Sequence, residues 1–255
     1  AKRTRFEQRF DLYTLAVQFY LMEETVTKSV LIVGAGLGLS SSLAKCCADQ
    51  GMKVALAART LDKLEAIAEE TNAELYQCDA SSVGDVVELF AGLDASIGTP
   101  EMVIYNPSAR VHGPVQELDP VKVQHALNTT CYGAFLVAQQ AAQRMLIQGH
   151  GSIFFTGATA GIKGFAHSSV FAMGKFGLRG LAQSLARELH PQNIHIGHFV
   201  IDGGIRADHR PERHDDGSDR MLNPDAIAKS YLEFHRQHRS AWAWEIELRP
   251  WLENF

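Results

Sequence analysis

From residue 29 onward, short runs of consecutive apolar residues alternate with longer segments whose apolar positions follow a helical period. Because these runs are apolar throughout, they predict strands that are covered on both faces, as in a parallel sheet. Right-handed crossovers then give a doubly wound α/β fold, here a seven-stranded parallel sheet with helices on both faces. The predicted strands are residues 30–33, 53–57, 74–78, 102–105, 152–156, 194–201 and 242–248. The predicted helices are residues 40–50, 61–70, 83–93, 120–147 and 168–189.

The same pattern divides the chain into an N-terminal extension or leader, residues 1–28, and one domain that fills residues 29–255. The extension holds a largely apolar segment at residues 10–22, but Asp11 and Gln18 interrupt it and no small-residue cleavage site follows. These features favour an amphipathic surface helix or a non-native leader over an export signal. No stretch approaches the ~20 apolar residues of a membrane span, so no membrane partner is predicted.

Composition narrows the class of protein further. The formal net charge of -5 gives no reason to expect binding to nucleic acid or anionic lipid. The four cysteines form no CxxC pair, and Cys46 and Cys47 fall in a predicted helix, where they are expected to act as small packing residues. We therefore expect a reducing, cytoplasmic compartment. No HExxH motif or paired Cys/His pattern is present, so no metal site is predicted.

The first predicted strand runs directly into a glycine-rich turn, Val33-Gly34-Ala35-Gly36-Leu37-Gly38-Leu39-Ser40, and a helix follows at once. Glycines permit a tight turn and a close approach of the backbone to a pyrophosphate, and the helix N-terminus supplies N–H groups and a favourable dipole. The strand–turn–helix context favours a dinucleotide site over a purely structural turn. The predicted cofactor contacts in this turn are Gly34, Gly36, Leu37, Gly38 and Leu39.

The end of the second predicted strand, Ala57-Ala58-Arg59, indicates which dinucleotide binds. An acidic residue there would bind the ribose hydroxyls of NAD(H) and repel a 2′-phosphate. Ala58 removes that repulsion, and Arg59 offers a forked cation suited to phosphate. The sequence therefore favours NADP(H), unless Arg59 is only a solvated loop residue.

Four motifs, in their order and spacing, resemble the short-chain dehydrogenase/reductase family. They are Gly34-x-x-x-Gly38-x-Ser40, Cys78-Asp79-Ala80, Asn106-Pro107-Ser108, and Lys175 four residues after Phe171. The resemblance covers about residue 29 to the C-terminus and implies a Rossmann domain that binds NADP(H).

The resemblance also implies roles for single residues. It places Asp79 and Ala80 at the adenine, Asn106 beside the cofactor at the end of the fourth strand, and Lys175 at the nicotinamide ribose hydroxyls. Ser40 replaces the last glycine that is usual in the family. We expect binding to survive this change because serine is a good helix cap.

The chemistry of the family requires groups that this chain lacks. In the family, a tyrosine four residues before the lysine exchanges the proton, a serine binds the carbonyl, and an asparagine holds a relay water. The matching positions here are Phe171, Ala158 and Thr130, and only Lys175 remains. Asn128 lies two places from the asparagine position, so a register slip would restore it.

Other polar side chains near the predicted site are candidates to replace the tyrosine. A displaced tyrosine or histidine is a better acid than a serine or threonine hydroxyl. For each candidate, packing or helix capping is the competing interpretation. The candidates are Thr156, Thr159, Ser168, Ser169, His167, Tyr105 and Tyr132.

Three functional hypotheses follow. The first is an NADP(H)-dependent oxidoreductase with a non-standard proton donor, acting on a small molecule under a lid at residues 206–221. The second is a catalytically silent NADP(H)-binding sensor or assembly protein, and the third is a fold relic without a cofactor. The resemblance further implies a homodimer or homotetramer that pairs through the helices at residues 124–147 and 168–189.

Overall fold

The structure, a computed structural model, describes residues 28–207, 209–214 and 216–253. Apart from residue 28, the predicted N-terminal extension lies outside the described residues. The strands are β1 (Ser29–Val33), β2 (Lys53–Ala58), β3 (Glu74–Gln77), β4 (Met102–Tyr105), β5 (Gly151–Thr156), β6 (Ile194–Ile201) and β7 (Glu245–Leu248). The helices are α1 (Leu39–Ala48), α2 (Glu65–Thr71), α3 (Val83–Ala95), α4 (Pro120–Leu127), α5 (Gly133–Gln148), α6 (Ser169–Leu189) and α7 (Pro224–His235).

The strands form one seven-stranded sheet in the order β3-β2-β1-β4-β5-β6-β7, and every pairing is parallel. Strands β1, β4, β5 and β6 are buried along their whole length. Leu31 packs in a core with residues of α3, α5 and α6, whereas its neighbour Ile32 packs in a second core with residues of α1, α2 and α7. Burying one such side chain contributes about 1.5–3 kcal/mol, so helices on both faces stabilise the apolar strands. The doubly wound fold is confirmed.

The sheet has one switch point, which locates the site. From β1 the chain winds outward through β2 and β3, and then returns to β4 on the other side of β1. In open α/β sheets, ligands bind in the crevice outside the carboxyl ends of the strands at such a point. The segments that follow β1, β4, β5 and β6 therefore meet at one edge of the sheet.

Residues 120–147 are helical as predicted, but a π-helical segment at Asn128–Tyr132 lies between α4 and α5. The Tyr105 hydroxyl donates a 2.5 Å hydrogen bond to the carbonyl of Thr129 in this segment. A side chain on Gly133 would come within 2.5 Å of both the Ala80 carbonyl oxygen and the Tyr105 hydroxyl. The wide turn and the glycine thus let the helix approach the end of the sheet closely.

The C-terminal part of the chain departs most from the predicted elements. Strand β7 begins at Glu245 rather than at Trp242, which instead stacks on His195 with ring centroids 4.5 Å apart. Helix α7 was not among the predicted helices, yet Tyr231 on it is fully buried against β5 and β6. Within the described part of the chain, no helix combines the length and apolar character that a membrane crossing requires.

Candidate active site

A cavity of about 680 Å³ lies at the switch point of the sheet. It is lined by residues that follow β1, β4, β5 and β6, together with the first turn of α1 and part of α6. The predicted site residues that it brings together are Gly34, Gly36, Leu37, Gly38, Leu39, Asn106, Ala158, Phe171 and Lys175. The predicted site residues outside its lining are Arg59, Asp79, Ala80 and Thr130.

The glycine-rich turn has the geometry of an anion cradle. Gly34 has φ +76°, and a Cβ atom there would lie 2.6 Å from Cγ of Pro107, so this position requires glycine. A Cβ atom on Gly36 would meet nothing within 4 Å, so its backbone is open to a ligand. Helix α1 begins after Gly38 without a side-chain cap, which leaves the N–H groups of its first turn available to a ligand.

Ser40 does not cap the helix, which corrects the role expected from the sequence. It lies inside the first turn of α1, where its hydroxyl donates to the Gly34 carbonyl oxygen at 3.3 Å and accepts from Nδ2 of Asn106 at 2.8 Å. The serine therefore ties the glycine turn to the end of β4. This contact holds Asn106 at the cavity wall.

The end of β2 presents two cations near the glycine turn. Arg59 is exposed and lies close enough to Asp79 to lower the pKa of that carboxyl group. Burial alone would raise the pKa of Asp79, but hydrogen bonds from Ser81 and the charge of Arg59 hold it below its usual value. Lys63, in a short 3-10 turn after β2, lines the cavity directly. Lys63 was not among the predicted site residues, although its place four residues after Arg59 was a usable signal.

Phe171 and Lys175 lie one turn apart on α6 and both line the cavity. Lys175 is only 2% exposed, and its Nζ donates a 2.6 Å hydrogen bond to the Thr156 carbonyl at the end of β5. Nζ lies 5.9 Å from the centre of the Phe171 ring. Burial, followed by repulsion from Arg110, lowers the pKa of Lys175 to about 7. The buried amine therefore titrates near neutral pH.

The reacting end of the cavity is the end lined by Phe171 and Lys175, and both Thr130 and Asn128 lie away from it. Thr130 is buried, and its hydroxyl accepts from the backbone N–H of Ala109 at 3.0 Å. Asn128 lines two shallow apolar grooves on the outer face of α4 to α6. The register slip considered from the sequence therefore does not bring Asn128 to the cavity.

The other candidate proton donors have partners elsewhere. Tyr105 is buried with its hydroxyl on Thr129, and Tyr132 is 44% exposed on the outer helical face. The Thr159 hydroxyl donates to Asp202 at 2.5 Å. Thr156 lines the cavity, but its hydroxyl lies 2.9 Å from that of the buried Tyr231. Among residues 28–207, 209–214 and 216–253, no tyrosine lines the cavity.

His167, Ser168 and Ser169 also lie outside the cavity wall. His167 has φ +61°, and its ring faces that of His112 with centroids 6.0 Å apart. Ser168 stands at the N-cap position of α6 without a capping hydrogen bond from its side chain, and Ser169 lines one of the outer grooves. None of the three therefore replaces the missing tyrosine at this site.

Arg110 is the residue at this site that sequence reasoning missed entirely. It follows β4, and the central carbon of its guanidinium group lies 3.9 Å from the centre of the Phe171 ring. This distance is that of a cation–π contact, which favours a charged group over an aromatic face. The only signal in the sequence was its position four residues after Asn106.

The polar segment predicted as a lid contributes to the wall of the cavity. A β-bridge between Ile205 and Leu222 joins its two ends. His209, Arg210 and Arg213 of this segment line the cavity, and a Cβ atom on Gly38 would lie 3.9 Å from the His209 ring. These three side chains thus form part of the cavity wall, with His209 next to the glycine turn.

Within the described ranges, no group of three or more His, Cys, Asp or Glu side chains is arranged to hold a metal ion. The four cysteines are free thiols, and Cys47 packs in the core as expected.

Comparison with known proteins assigns the family. Residues 28–216 match the short chain dehydrogenase family, so the chain belongs to that family. The sepiapterin reductase of Chlorobaculum tepidum is 28% identical over 233 residues, which cover 87% of this chain and 95% of that protein. A short-chain dehydrogenase structure from Rhodopseudomonas palustris is 32% identical with a TM-score of 0.77, covering 88% of this chain and 99% of that one. A metagenomic short-chain oxidoreductase solved in complex with NADP has the same fold, with 23% identity, a TM-score of 0.77, and coverage of 89% and 98%.

Proposed function

We propose that this protein is an NADP(H)-dependent oxidoreductase that reduces a small carbonyl compound, with Lys175 as the proton donor in place of a tyrosine. The observation that carries the proposal is that one cavity joins the open glycine turn to a buried amine at the end of β5. NADPH supplies a hydride when it is bound. The residues of the chain then have to bind the two reactants and deliver one proton.

The cofactor half of the cavity fits NADP(H). The turn is open at Gly36, the helix N-terminus carries no side-chain cap, and β2 ends in an alanine instead of an acid. Arg59 and Lys63 add positive charge on the same side of the cavity. The same fold holds NADP in the metagenomic oxidoreductase.

The reacting half of the cavity fits proton transfer from an amine. As an ammonium group, Lys175 has two N–H bonds besides the one it gives to Thr156, so one can point to a carbonyl oxygen. When the carbonyl carbon accepts the hydride, the ammonium releases its proton to the oxygen and becomes a neutral amine. Because the pKa of this amine is about 7, it regains a proton from water at neutral pH.

A side chain at Gly36 is expected to block the cofactor without harming the fold. Gly36→Ala places a methyl group in open space, so the melting temperature should stay within about 1 °C of the original. The same methyl group lies where the pyrophosphate must approach, so NADPH binding should weaken by about tenfold or more. Fluorescence titration with NADPH measures the second effect. A variant that binds NADPH normally would contradict the assignment of this turn.

Removing the cations at the end of β2 is expected to change the preference between cofactors. Arg59→Ala and Lys63→Ala should each weaken NADPH binding by about tenfold, since a charged hydrogen bond contributes about 1.5–3 kcal/mol. NADH lacks the 2′-phosphate, so its affinity should hardly change. Titrating both cofactors against both variants, with exposed Lys53→Ala as a control, checks this. Equal losses of affinity for NADPH and NADH would show that Arg59 and Lys63 do not bind the 2′-phosphate.

Turnover separates the oxidoreductase from the silent binding protein. The second candidate is supported by one observation, the lack of a tyrosine in the cavity wall among the described residues. The purified protein should be mixed with NADPH and a panel of aldehydes, ketones, imines and activated alkenes. Oxidation of NADPH with a carbonyl, faster at pH 6 than at pH 9, supports the proposal. Tight NADPH binding without any turnover would favour a sensor or assembly protein instead.

We also infer a homodimer or homotetramer and a cytoplasmic location. The outer face of α5 and α6 exposes 42% of Phe135, 54% of Met173 and 44% of Phe176. Large apolar side chains grouped on one face are typical of an interaction surface, and these helices are the ones that the family resemblance assigns to pairing. The location rests on the four free cysteines alone.

A further inference from the structure

The cavity is strongly basic although the chain as a whole is acidic. The formal net charge of the chain is -5. Yet in the described part of the chain no aspartate or glutamate lines the cavity, whereas several cationic side chains do. These are Lys63, Arg110, Lys175, Arg206, Arg210 and Arg213. This local charge is therefore a property of the site and not of the overall composition.

Arg110, Arg210 and Arg213 form a group that we call the arginine cluster. All three side chains line the same cavity, and burial, followed by repulsion from Arg213 and Arg210, lowers the pKa of Arg110. No carboxylate among the described residues forms an ion pair with any of them. Asp202, on the same edge of the sheet, is already engaged by Thr159 and Arg249.

The backbone holds this like-charged group in place. The N–H of Arg213 donates to the Arg210 carbonyl at 2.8 Å, and the N–H of Ala207 donates to the Arg213 carbonyl at 2.9 Å. These bonds fix the backbone of a turn whose two arginine side chains line the cavity, and the third guanidinium group, that of Arg110, stacks on Phe171. Like charges held together in this way repel one another unless an anion lies between them.

The cluster lies at the reacting end of the cavity and not at the adenosine end. Arg110 follows β4, and Arg210 and Arg213 follow β6. Arg210 and Arg213 belong to the segment whose His209 approaches Gly38, so Arg110 is the member that fixes the place of the cluster: its guanidinium group lies 3.9 Å from the centre of the Phe171 ring. An anion held by Arg110 therefore lies next to Phe171, whereas β1 separates β4 from β2, where a 2′-phosphate would bind.

We propose that the arginine cluster binds a carboxylate or another oxyanion of the substrate, next to Phe171 and Lys175. This inference rests on the proposed function, because it names the class of carbonyl compound that the site reduces. Guanidinium groups bind carboxylates through paired, charge-assisted hydrogen bonds. With the anion on the cluster, the carbonyl group of a small substrate lies towards Lys175.

The test compares two aldehydes that differ only in charge, 4-formylbenzoate and 4-formylbenzamide. Their binding to the protein saturated with NADP⁺, which has no hydride to transfer, is measured by calorimetry, so the heat reports binding without turnover. We expect the carboxylate to bind at least about tenfold more tightly than the amide. Arg110→Gln combined with Arg213→Gln should weaken carboxylate binding by about 10- to 100-fold and leave amide binding and NADPH binding within about threefold.

Matched variants and separate outcomes keep this test distinct from that of the proposed function. Arg187→Gln, on the exposed side of α6, should change nothing, and Arg110→Lys should retain part of the preference for the carboxylate. Equal affinity of the original protein for both aldehydes overturns the inference. So does a double variant that loses NADPH binding while binding both aldehydes normally, because the cluster then holds a cofactor phosphate. If NADPH itself does not bind, the proposed function fails, and the preference of the free protein between the two aldehydes still tests the cluster.

Discussion

Changing Phe171 to Tyr together with Ala158 to Ser is expected to raise NADPH-dependent carbonyl reduction by about 10²- to 10⁴-fold. A general acid placed at the reacting oxygen typically contributes a factor of this size. A serine hydroxyl adds a hydrogen bond to the oxygen as its negative charge develops. Both changes act on the same transition state, so the double variant should exceed either single one.

The geometry around Phe171 suits a phenol. The ring lines the cavity, is 8% exposed, and stands one helical turn from the buried amine of Lys175. A positive charge close to a phenol favours its ionised form and lowers its pKa. The Arg110 guanidinium over the ring, 3.9 Å from its centre, acts in the same direction. A tyrosine here would therefore be a stronger acid than one in water.

Three controls make the result specific. Phe171→Tyr and Ala158→Ser are measured singly, and Phe171→Leu removes the ring without adding a hydroxyl. The rates are compared at saturating NADPH and over a pH series. If the double variant folds and binds NADPH as the original does but reduces carbonyls no faster, then positions 171 and 158 do not face the reacting carbon. The alignment of this site with the family would then be wrong.

Most of the sheet was predictable because its strands obey one simple rule. Strand β4 is apolar throughout, β6 is apolar apart from His195, Gly197 and His198, both strands are buried along their whole length, and their predicted bounds match the structure. Strand β7, by contrast, lies at the edge of the sheet and is only partly buried. The tryptophan-containing residues just before this strand are as apolar as the strand itself, so the predicted start of β7 was too early.

The π-helical segment at Asn128–Tyr132 was not predictable from periodicity. Its position depends on the Tyr105 hydroxyl and the Ala80 carbonyl, which belong to distant parts of the chain. Hydrophobic periodicity depends only on local spacing, so it indicates one continuous amphipathic helix. Gly133 was the single local sign, since glycine in the interior of a helix usually has a packing reason.

The site was predictable where a motif fixes the backbone and unpredictable where folding brings loops together. The glycine turn and the pair Phe171 and Lys175 are spaced within one element, so their positions follow from the sequence. Arg110 and Arg213 come from loops after different strands, and only the order of the sheet brings both to the wall of one cavity. The unusual charge of the cavity is therefore a tertiary property.

Replacing Lys175 with Met is expected to stabilise the cofactor-free protein at pH 6 while abolishing turnover. The amine is 2% exposed, and burial lowers its pKa from 10.5 to about 7. In the unfolded chain the amine keeps its ordinary pKa, so between about pH 7 and 10.5 the unfolded state binds more protons than the folded state. The stability of the original protein should therefore rise with pH across this window, and the full cost of burying the charge applies below about pH 7.

The size of this effect makes it measurable. A pKa lowered by this much corresponds to about 3–5 kcal/mol at pH 6, and methionine fills a similar volume without a charge. For a domain of this length, the melting temperature of Lys175→Met should then be about 10 °C higher at pH 6. The gain should shrink towards zero by about pH 10.5, where the original amine is neutral in both states.

Thermal unfolding of the two proteins at pH 6, 8 and 10 checks the expectation, with the exposed Lys163→Met as the matched control. The control should show no gain at any pH, because its amine stays in water in both states. A gain for Lys175→Met that is equal at every pH would mean that the amine binds the same number of protons in the folded and the unfolded protein, so burial would not lower its pKa. Lys175 would then stay an ammonium group throughout this pH range and would hold its proton too tightly to be an effective donor at neutral pH.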